Sequence, residues 1–365
     1  MVSTSYPTSL GDWRGLFIRH LADALARRED VSLSLWAPPG DVHPRVRRAC
    51  TDDDDAWLLE LVRRGGIAQL LRTAVVPGMA AGLGLVRRLR RVFARETADL
   101  YHINWLQNAL ALPADGRPAL ISVLGADMRL LAWPGMRLMM RRVCRGRRVA
   151  ICPNADWMVA ALESAFTGVA RIRTVPFGID PAWYSLARKF TQEREPNWLV
   201  VARITRDKIG DLFAWGSAAF AGGRKLHLLG PMVETLDLPD WVEYHGATTP
   251  AELREKWFPM AHGLITLSRH SEGRPQVMLE AMAAGLPIIA SRLPAHENLI
   301  EHGDSGWIAD SPEGLAAGLA QLESAPRNIA VGLKAQARVR ADIGTWDDCA
   351  QRYDRVYREL TPVDT

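Results

Sequence analysis

Short apolar runs alternate with helical patterns along most of this chain. The runs in the first half are VSLSLWAP, LYHINW, ALISVLG and RVAICPN. Those in the second half are WLVVARI, LHLLGP, VEYHGA, GLITLS and PIIAS. Turn residues or segments with helical spacing follow each run, and strands that alternate with helices favour parallel sheets. The pattern therefore predicts two successive α/β domains, followed by an amphipathic helix at TWDDCAQRYDRVYREL.

The domain boundaries are predicted from a polar stretch, ARKFTQEREPN, that resembles a linker. We place the first domain at residues 1–185, the second at 186–340 and a C-terminal helix at 341–365. A chain of 365 residues with 48% hydrophobic content is long enough for two cores. Basic residues exceed acidic ones by 8 in the first domain, whereas the remainder has a net charge of −4. The two halves are therefore expected to meet different partners.

Several classes of protein are disfavoured by the sequence. It contains no run of eighteen apolar residues and no charged-then-apolar leader, so we expect no transmembrane span and no secretory signal. Its four cysteines lack metal-ligand or CxxC spacing, which indicates reduced thiols in the cytoplasm. The DDDD run at 52–55 precedes a helical pattern and predicts a helix start rather than metal ligands. We expect no metal, no other cofactor and no nucleic-acid partner.

Two glutamates lie eight residues apart in SEGRPQVMLEAMAAGLPIIAS. The segment predicts a loop and then a helix that begins near Pro275 and ends at Gly285. The loop follows a parallel strand, where open α/β sheets bind ligands, and a helix N-terminus suits phosphate. Glu272 and Glu280 are too far apart to act on one atom, so they fit two points of one extended ligand. The alternative is that the helix dipole favours acidic residues at this position.

Two cations follow another apolar run in WLVVARITRDKIG. Arg203 comes directly after the predicted strand, and Lys208 lies where the next helix begins. Such a pair could clamp a diphosphate, Arg203 by its planar fork and Lys208 as a point charge. The alternative is a pair of ordinary surface cations.

Together these segments resemble the family-4 retaining glycosyltransferases of the GT-B fold. The E-x7-E element, the ARITRDK segment, VPFGID and the terminal helix carry the resemblance, which covers nearly the whole chain and is more specific in its second half. The resemblance implies an α/β fold of two Rossmann-like domains that face each other across a cleft. It also implies sugar transfer from a nucleotide-diphosphate donor with retention of configuration. Uridine diphosphate is the default nucleotide because the family often uses it.

The resemblance also implies roles for individual residues. Arg203 and Lys208 would hold the donor diphosphate, and Glu280 would bond the ribose. Glu272 would grip the transferred sugar and, with Arg203 and Lys208, would form the catalytic group. The remaining donor contacts would come from the segment after Glu272 and from the border of the base pocket: Gly273, Arg274, Pro275, Gln276 and Gly230.

The first domain departs from the family pattern. Leu124 stands where the family commonly has a histidine before a glycine. The remaining candidates for the acceptor or sugar side are Asp127, His102, Asn104 and Gly15. Two alternatives stay open: His102 as a packed, hydrogen-bonded core histidine, and Asp127 as a helix cap.

Two basic amphipathic segments, near 85–95 and 136–148, predict a surface for anionic lipid. Their apolar sides are predicted to be Leu85, Val86, Leu89, Val92 and Phe93 in the first, and Met139, Met140, Val143 and Cys144 in the second. The alternative is a stripe that packs on the core, with solvated arginines opposite.

We therefore expect a peripheral enzyme on the inner face of a cell membrane. It would transfer a sugar to a membrane-associated or lipid-linked glycan in bacterial polysaccharide or glycolipid assembly. Two alternatives remain: a soluble glycosyltransferase of a small metabolite, and a non-catalytic subunit that binds nucleotide sugars.

Overall fold

The computed structural model describes residues 1–188, 195–221 and 223–362. The chain divides into two compact units. The first unit contains Met1–Phe177 and Trp346–Thr365, and the second contains Gly178–Thr345. These bounds differ from the predicted ones at 185/186 and 340/341. The reason is local packing: buried Trp183 stacks near Phe258 in the core of the second unit, 5.0 Å between ring centroids. Residues 189–194 of the predicted linker lie outside the described residues.

The sheet of the first unit is parallel. Its strands are β1 (Leu33–Leu35), β2 (Val46–Arg48), β3 (Tyr101–Asn104), β4 (Ala119–Val123), β5 (Val149–Pro153) and β6 (Arg171–Ile172). Strands β3 to β6 pair in that order, and β1 pairs with β2. Val2 bridges both Trp36 and Ile103, so the first residues of the chain join the two parts. β3, β4 and β5 are buried along their whole length, as expected for parallel strands covered on both faces.

Helices cover this sheet. They are α1 (Leu16–Ala26), α2 (Asp52–Arg63), α3 (Gly66–Thr73), α4 (Val75–Arg95), α5 (Met136–Cys144) and α6 (Val159–Phe166). Short 3-10 turns lie at Leu106–Ala111, Ala126–Ala132 and Asp156–Met158. α2 confirms the helix start that the DDDD run predicts. Thr51 and Asp54 form a capping box, and four aspartates occupy the first turn, where the helix dipole favours them.

The second unit has a six-stranded parallel sheet in the order β12-β11-β10-β7-β8-β9. The strands are β7 (Asn197–Val201), β8 (Lys225–Leu229), β9 (Val242–Gly246), β10 (Gly263–Thr266), β11 (Ile288–Ser291) and β12 (Trp307–Ala309). Its first helices are α7 (Pro181–Tyr184), α8 (Arg206–Ile209), α9 (Leu212–Ala219), α10 (Pro250–Glu252) and α11 (Phe258–Met260). A π turn at Leu253–Trp257 lies between the last two, and the remaining helices are α12 (Gln276–Ala283), α13 (Pro294–Glu297), α14 (Pro312–Glu323) and α15 (Ala325–Asp342). Apolar clusters lie on both faces of this sheet.

The last helix, α16 (Trp346–Leu360), belongs to the first unit. Its apolar side packs on α1, and ion pairs such as Arg28 to Asp354 (2.7 Å) flank that contact. In the described part of the chain, no helix is both long and apolar enough to cross a membrane. All four cysteines are free thiols, and three of them are buried.

Candidate functional site

The carboxyl ends of β7, β10 and β11 form one edge of the second sheet, called here the carboxyl edge. Arg203 is exposed two residues after β7. Thr205 caps α8 by accepting a hydrogen bond from the Lys208 amide at 3.3 Å, which fixes the lysine in the first turn. Gly210 follows with φ of 56°, and a Cβ there would lie 1.8 Å from the carbonyl oxygen of Leu267. The glycine therefore lets α8 lie directly against the end of β10.

The fold brings Lys208 and Glu272 together across this edge. Lys208 Nζ pairs with Glu272 Oε1 although the residues are 64 positions apart in sequence. Their side chains retain 17% and 19% of their exposed surface, so the pair is partly buried and still accessible to a ligand. The β10–α12 loop is held in place by the Ser268 carbonyl, which accepts a hydrogen bond from Ser291 Oγ at 2.6 Å. The pair therefore joins the loops after two neighbouring strands.

The N-terminus of α12 follows directly after Glu272. The amides of Met278 and Leu279 donate to the Pro275 carbonyl at 3.1 and 3.3 Å. The amides of Gln276 and Val277 precede them and have no acceptor within the helix. Oriented amides of this kind, together with the positive end of the helix dipole, suit an anionic group. As the sequence predicts, α12 begins next to Pro275, and Gly285 follows its end with φ of 67°.

The side chains of the segment after Glu272 are engaged within the unit. Gln276 Nε2 donates to the Gly178 carbonyl at 3.1 Å, and Arg274 donates to Asn298 Oδ1 at 2.7 Å. Pro275 has no amide hydrogen, and Gly273 is buried. A ligand at this segment would therefore meet backbone groups rather than the long side chains.

Glu280 lies on α12, in a partly buried position. Burial, with a further contribution from the charge of Asp180, raises the pKa of its carboxyl to about 8. Near neutral pH the group is therefore largely protonated and can donate as well as accept hydrogen bonds. Asp180 itself caps α7 through a 2.9 Å bond from the Ala182 amide. Glu280 and Glu272 thus differ: one is a neutral acid beside a second carboxyl, and the other is paired with a lysine.

Gly230 is predicted to border a base pocket. Its backbone amide and carbonyl both form hydrogen bonds within the second unit. Its amide donates to the Gly246 carbonyl at 2.7 Å, and its carbonyl accepts from Tyr244 Oη at 3.0 Å. Its φ is 132°, and a Cβ would lie 1.7 Å from the Ala202 carbonyl oxygen. The glycine is therefore required for the close approach of the loops after β7 and β8, and its place at the border of a base pocket stays a prediction.

His296 is a residue that the sequence argument missed. It is fully buried, and its Nδ1 lies 2.9 Å from the Ser291 carbonyl. Within the described residues, its Nε2 has no hydrogen-bond partner. Burial lowers the pKa of His296, and Glu272 and Lys208 act on it electrostatically in opposite directions. No local pattern in the sequence shows that His296 lies within electrostatic range of Lys208 and Glu272.

His102 of the first unit is packed in the core, as in the alternative left open by the sequence, and its role on the acceptor or sugar side stays a prediction. It is 3% exposed, with Nδ1 at 2.6 Å from Tyr357 Oη and Nε2 at 2.9 Å from Ser122 Oγ. Ser122 Oγ also lies 2.9 Å from Tyr353 Oη, so the network ties α16 to β3 and β4. Burial lowers the pKa of His102 to about 3, which keeps the ring neutral.

Asp127, Asn104 and Gly15 also have structural roles. Asp127 is buried and accepts bonds from the amides of Leu106, Leu124 and Gly125 at 3.0–3.1 Å. Burial raises its pKa to about 6. Asn104 is fully buried, and its Nδ2 donates to the Val2 carbonyl at 3.1 Å. Gly15 is buried with φ of 69°, and a Cβ would lie 2.7 Å from the Tyr6 amide nitrogen. These contacts give the three residues structural roles in the first unit, and their roles on the acceptor or sugar side stay predictions.

The predicted basic helices pack on the first core, but their faces differ from expectation. α4 buries Leu85, Leu89, Val92 and Phe93 as predicted. In α5 the buried residues are Met136, Met140 and Cys144, at intervals of four, so the buried stripe is too narrow to include Met139, which is 47% exposed. Part of the arginine face is bound internally. Arg88 Nη1 lies 2.6 Å from Asp53, and Arg95 donates to the Ala49 carbonyl.

Part of the chain is similar in sequence to known glycosyltransferases. The model of the family described as "Glycosyl transferases group 1" matches residues 211–324, which include β10, β11 and the loop with Glu272. The amylovoran biosynthesis glycosyltransferase AmsK of Erwinia amylovora is 28% identical over 206 residues. That alignment covers 47% of each protein, so the chain spans about half the length of this curated relative.

Solved structures extend the likeness over both units. Sucrose-phosphate synthase from Thermosynechococcus elongatus has a TM-score of 0.68, with 18% identity over 94% of this chain and 92% of its own. HepE of Anabaena, solved with UDP and glucose, has a TM-score of 0.62 at 13% identity, covering 94% and 95%. This chain has the GT-B fold, and its second unit is similar to the group 1 glycosyltransferases.

The segment that the family model matches includes Glu272 and Glu280 but begins after Arg203 and Lys208. The family match therefore covers one side of the Lys208–Glu272 pair. Lys208 lies outside the matched segment, and its direct contact with Glu272 links it to that segment.

Proposed function

We propose that the protein transfers a sugar from a nucleotide-diphosphate donor to a glycan acceptor, with retention of anomeric configuration. The observation that carries the proposal is the Lys208–Glu272 pair, which lies beside the N-terminus of α12 on the carboxyl edge. This arrangement places a cation, a carboxylate and oriented amides in one region of an open α/β sheet. A nucleotide sugar presents matching groups: a diphosphate for the lysine and amides, and hydroxyls for the carboxylate.

The chemistry assigned to Lys208 is stabilisation of the departing diphosphate. As the bond from the anomeric carbon to the phosphate oxygen breaks, negative charge develops on that oxygen. Preorganised cations and amides lower the free energy of this transition state more than that of the bound donor. Arg203, exposed at the end of β7, would share the task by its planar fork. The acceptor hydroxyl attacks from the same face, and its proton passes to the leaving phosphate oxygen, which accounts for retention.

Glu272 and Glu280 are assigned to different parts of the donor. Glu272 would exchange its contact with Lys208 for the hydroxyls of the transferred sugar when the diphosphate binds the lysine. Glu280, with its pKa raised to about 8, would bond a ribose hydroxyl as donor or acceptor. UDP is the nucleotide we favour because HepE, which shares the fold, was solved with UDP and glucose.

Donor binding and turnover test this assignment separately. A thermal-shift screen over nucleotide sugars should raise the Tm with a UDP-sugar, because a ligand of the folded state stabilises it by mass action. Lys208→Ala should then remove both the shift and the transfer. The matched control is Lys334→Ala, since Lys334 is also ion-paired, with Asp304, but lies on α15. Full transfer by Lys208→Ala would exclude the assignment, and binding without turnover in the wild type would favour a non-catalytic nucleotide-sugar-binding subunit.

The acceptor is proposed to be associated with a membrane. The first half of α4 exposes an apolar stripe of Val76 (77%), Met79 (59%) and Leu83 (58%). Along the same helix the exposed residues then become arginines, at Arg87, Arg90 and Arg91. Such a helix can insert apolar side chains between lipid headgroups while its cations meet anionic lipid, each contributing about 1 kcal/mol near the surface. The glycan class is supported by AmsK, a relative whose name assigns it to amylovoran biosynthesis.

Co-sedimentation with liposomes tests the membrane contact. We expect the protein to sediment with vesicles that contain anionic lipid at low salt, and to be released as salt rises. Replacing Val76, Met79 and Leu83 by serine should abolish sedimentation. The matched control replaces Ile329 and Leu333, two exposed apolar residues of α15, by serine. If the wild-type protein stays in the supernatant, the proposal of a membrane-associated acceptor is rejected.

The second candidate is a soluble glycosyltransferase of a small metabolite. It is favoured by the likeness to sucrose-phosphate synthase, which covers 94% of this chain. If the protein does not sediment with liposomes and transfers a sugar to soluble sugar phosphates, this candidate is supported over the glycan acceptor.

A further inference from the structure

Three potential metal ligands meet on one face of the second sheet, away from the residues of the carboxyl edge. His227 lies in the middle of β8, and Glu243 and His245 lie on β9 beside it. His227 and Glu243 are register partners, and His245 is two residues further along the same strand. His227 Nδ1 is 3.0 Å from His245 Nε2 and 3.3 Å from Glu243 Oε2. The third separation, from His245 Nε2 to Glu243 Oε2, is 3.9 Å.

These separations match the edges of a tetrahedral coordination shell. Zinc binds imidazole nitrogen and carboxylate oxygen at about 2.0–2.2 Å, which places tetrahedral ligands about 3.3–3.5 Å apart. One observed separation, 3.3 Å, lies within this range, and the other two, 3.0 and 3.9 Å, lie just below and above it. Side chains therefore need to move by only a few tenths of an ångström to share one ion. Two imidazoles and one carboxylate are a known ligand set of catalytic zinc sites, with a fourth position left for water.

The orientation of the His227 ring is set by a second shell. Asn197 Nδ2 donates to the Glu195 carbonyl at 2.9 Å, which turns the amide oxygen toward His227. That oxygen lies 2.9 Å from His227 Nε2, so Nε2 carries the proton and Nδ1 presents its lone pair to the cluster. A metal-binding histidine usually donates its other nitrogen to an oxygen in this way. The buried ring of His227, 5% exposed, is thus fixed in the tautomer that a metal requires.

The residues around the three potential ligands weaken the affinity of the site for a cation but leave it open to solvent. Trp257 packs against both imidazoles, with ring centroids 5.3 and 4.5 Å away, and covers one side. Glu243 and His245 are partly exposed, which leaves an entry path from solvent. Lys225 Nζ lies 3.7 Å from Glu243 Oε1, and Lys256 stacks over Trp257 at 4.3 Å, so two solvated cations oppose the charge of the metal.

We propose that His227, Glu243 and His245 bind one divalent transition-metal ion, zinc above all, which pins the edge strand β9 to β8. The site departs from the expectation that this protein has no metal, and it is separate from the proposed donor contacts. Its structural consequence follows from the backbone. β9 carries a bulge at this point, and the Gly246 carbonyl after it accepts the bond from the Gly230 amide. Fixing β9 therefore steadies the loop after β8 at the carboxyl edge.

Zinc titration of the full chain tests the proposal. Protein treated with a chelator and then dialysed is titrated with zinc chloride by calorimetry, and its Tm is measured with and without zinc. We expect one equivalent to bind and the Tm to rise, with no comparable effect of magnesium, which prefers oxygen ligands. Co²⁺ should give the intense visible absorption of a tetrahedral site.

The variants distinguish this cluster from adventitious binding. His245→Ala and Glu243→Gln remove partly exposed ligands and should weaken zinc binding at least about 100-fold, and Asn197→Ala should weaken it about 10- to 100-fold. His43→Ala, which removes a partly exposed histidine of the first unit, is the matched control and should leave it unchanged. Circular dichroism confirms that each variant is folded. Absence of zinc binding in the wild type, or unchanged binding by folded His245→Ala, would overturn the proposal.

Discussion

The two units place polar residues at equivalent strand ends and use them in opposite ways. In the first unit, His102 and Asp127 are buried, and each of their polar atoms is held by the backbone or by another side chain. In the second unit, Lys208 and Glu272 pair with each other while keeping part of their surface exposed. A polar residue at the carboxyl end of a parallel strand is therefore only a candidate. Whether it meets a ligand depends on what else satisfies its hydrogen bonds.

The difference has an energetic basis. A buried polar group without a partner costs about 1–3 kcal/mol, so the first unit must satisfy His102 and Asp127 internally if they are to remain buried. A partly exposed ion pair contributes little to stability, and its partners can exchange for a ligand at low cost. Mutations in the first unit should therefore reduce stability, and mutations in the second should reduce binding and activity.

The largest expected effect is on catalysis in the second unit. Glu272→Gln keeps the size of the side chain and removes its charge, and should lower kcat/KM about 100- to 1,000-fold because an oriented group at the reacting centre is lost. The Tm should change by only a few degrees. The measurement is steady-state transfer from the donor found in the thermal-shift screen. A Glu272→Gln variant with wild-type kcat/KM would contradict the functional role assigned to the second unit.

The next effect is on the stability of the first unit. His102→Ala removes the contacts with Ser122 and Tyr357 and leaves a cavity, so it should lower the free energy of unfolding by about 3 kcal/mol. Urea denaturation measures the change, and kcat of the folded fraction should be unaltered. His43→Ala, at a less buried position of the same unit, should change stability by less than about 0.5 kcal/mol. Loss of kcat with unchanged stability would place His102 in the reaction after all.

A smaller loss of stability is expected at Asp127. Asp127→Asn replaces one of the two oxygens that accept the amides of Leu106, Leu124 and Gly125 by an NH2 group, which donates hydrogen bonds and cannot accept them. The unfavourable contact should cost about 1–2 kcal/mol. The same urea denaturation measures it. Because the role is structural, donor binding should be unaffected, and a variant that binds donor weakly while remaining fully stable would contradict this assignment.

The last effect is the pH dependence of stability that Glu280 introduces. Its folded pKa of about 8 lies above the ordinary value of 4.5, so the folded state holds a proton that the unfolded state has lost between these values. This contribution to stability is fully present below pH 4.5 and is lost as the pH rises through 8, by at most about 1.4 kcal/mol per pH unit. The wild type should therefore lose stability relative to Glu280→Gln between pH 5 and 8. A constant difference would mean that the carboxyl titrates normally.

Much of the fold could be predicted from the sequence, because its signals are local. The apolar runs give the strands, Pro275 and Gly285 bracket α12, and the aspartates mark the start of α2. The proximity of Lys208 to Glu272 was predictable only in part, from the rule that ligands meet at the carboxyl ends of parallel strands.

The burial of the first-unit candidates could not be predicted, because it depends on distant partners. Tyr357, which binds His102, lies 255 positions away on the last helix. His296 comes within electrostatic range of Lys208 and Glu272 because β11, which precedes α13, pairs with β10. The compact units have bounds that differ from the predicted domain boundaries for the same reason, since the packing of Trp183 against Phe258 leaves no pattern in the local sequence.

The central claim is that the second unit binds the donor through Lys208 while the polar strand ends of the first unit serve structure. The most direct test measures the Tm shift produced by UDP-glucose in the wild type, in Lys208→Ala and in His102→Ala. We predict equal shifts in the wild type and in His102→Ala, although His102→Ala melts at a lower temperature, and no shift in Lys208→Ala. A wild-type shift in Lys208→Ala, or a shift lost only in folded His102→Ala, would contradict the account.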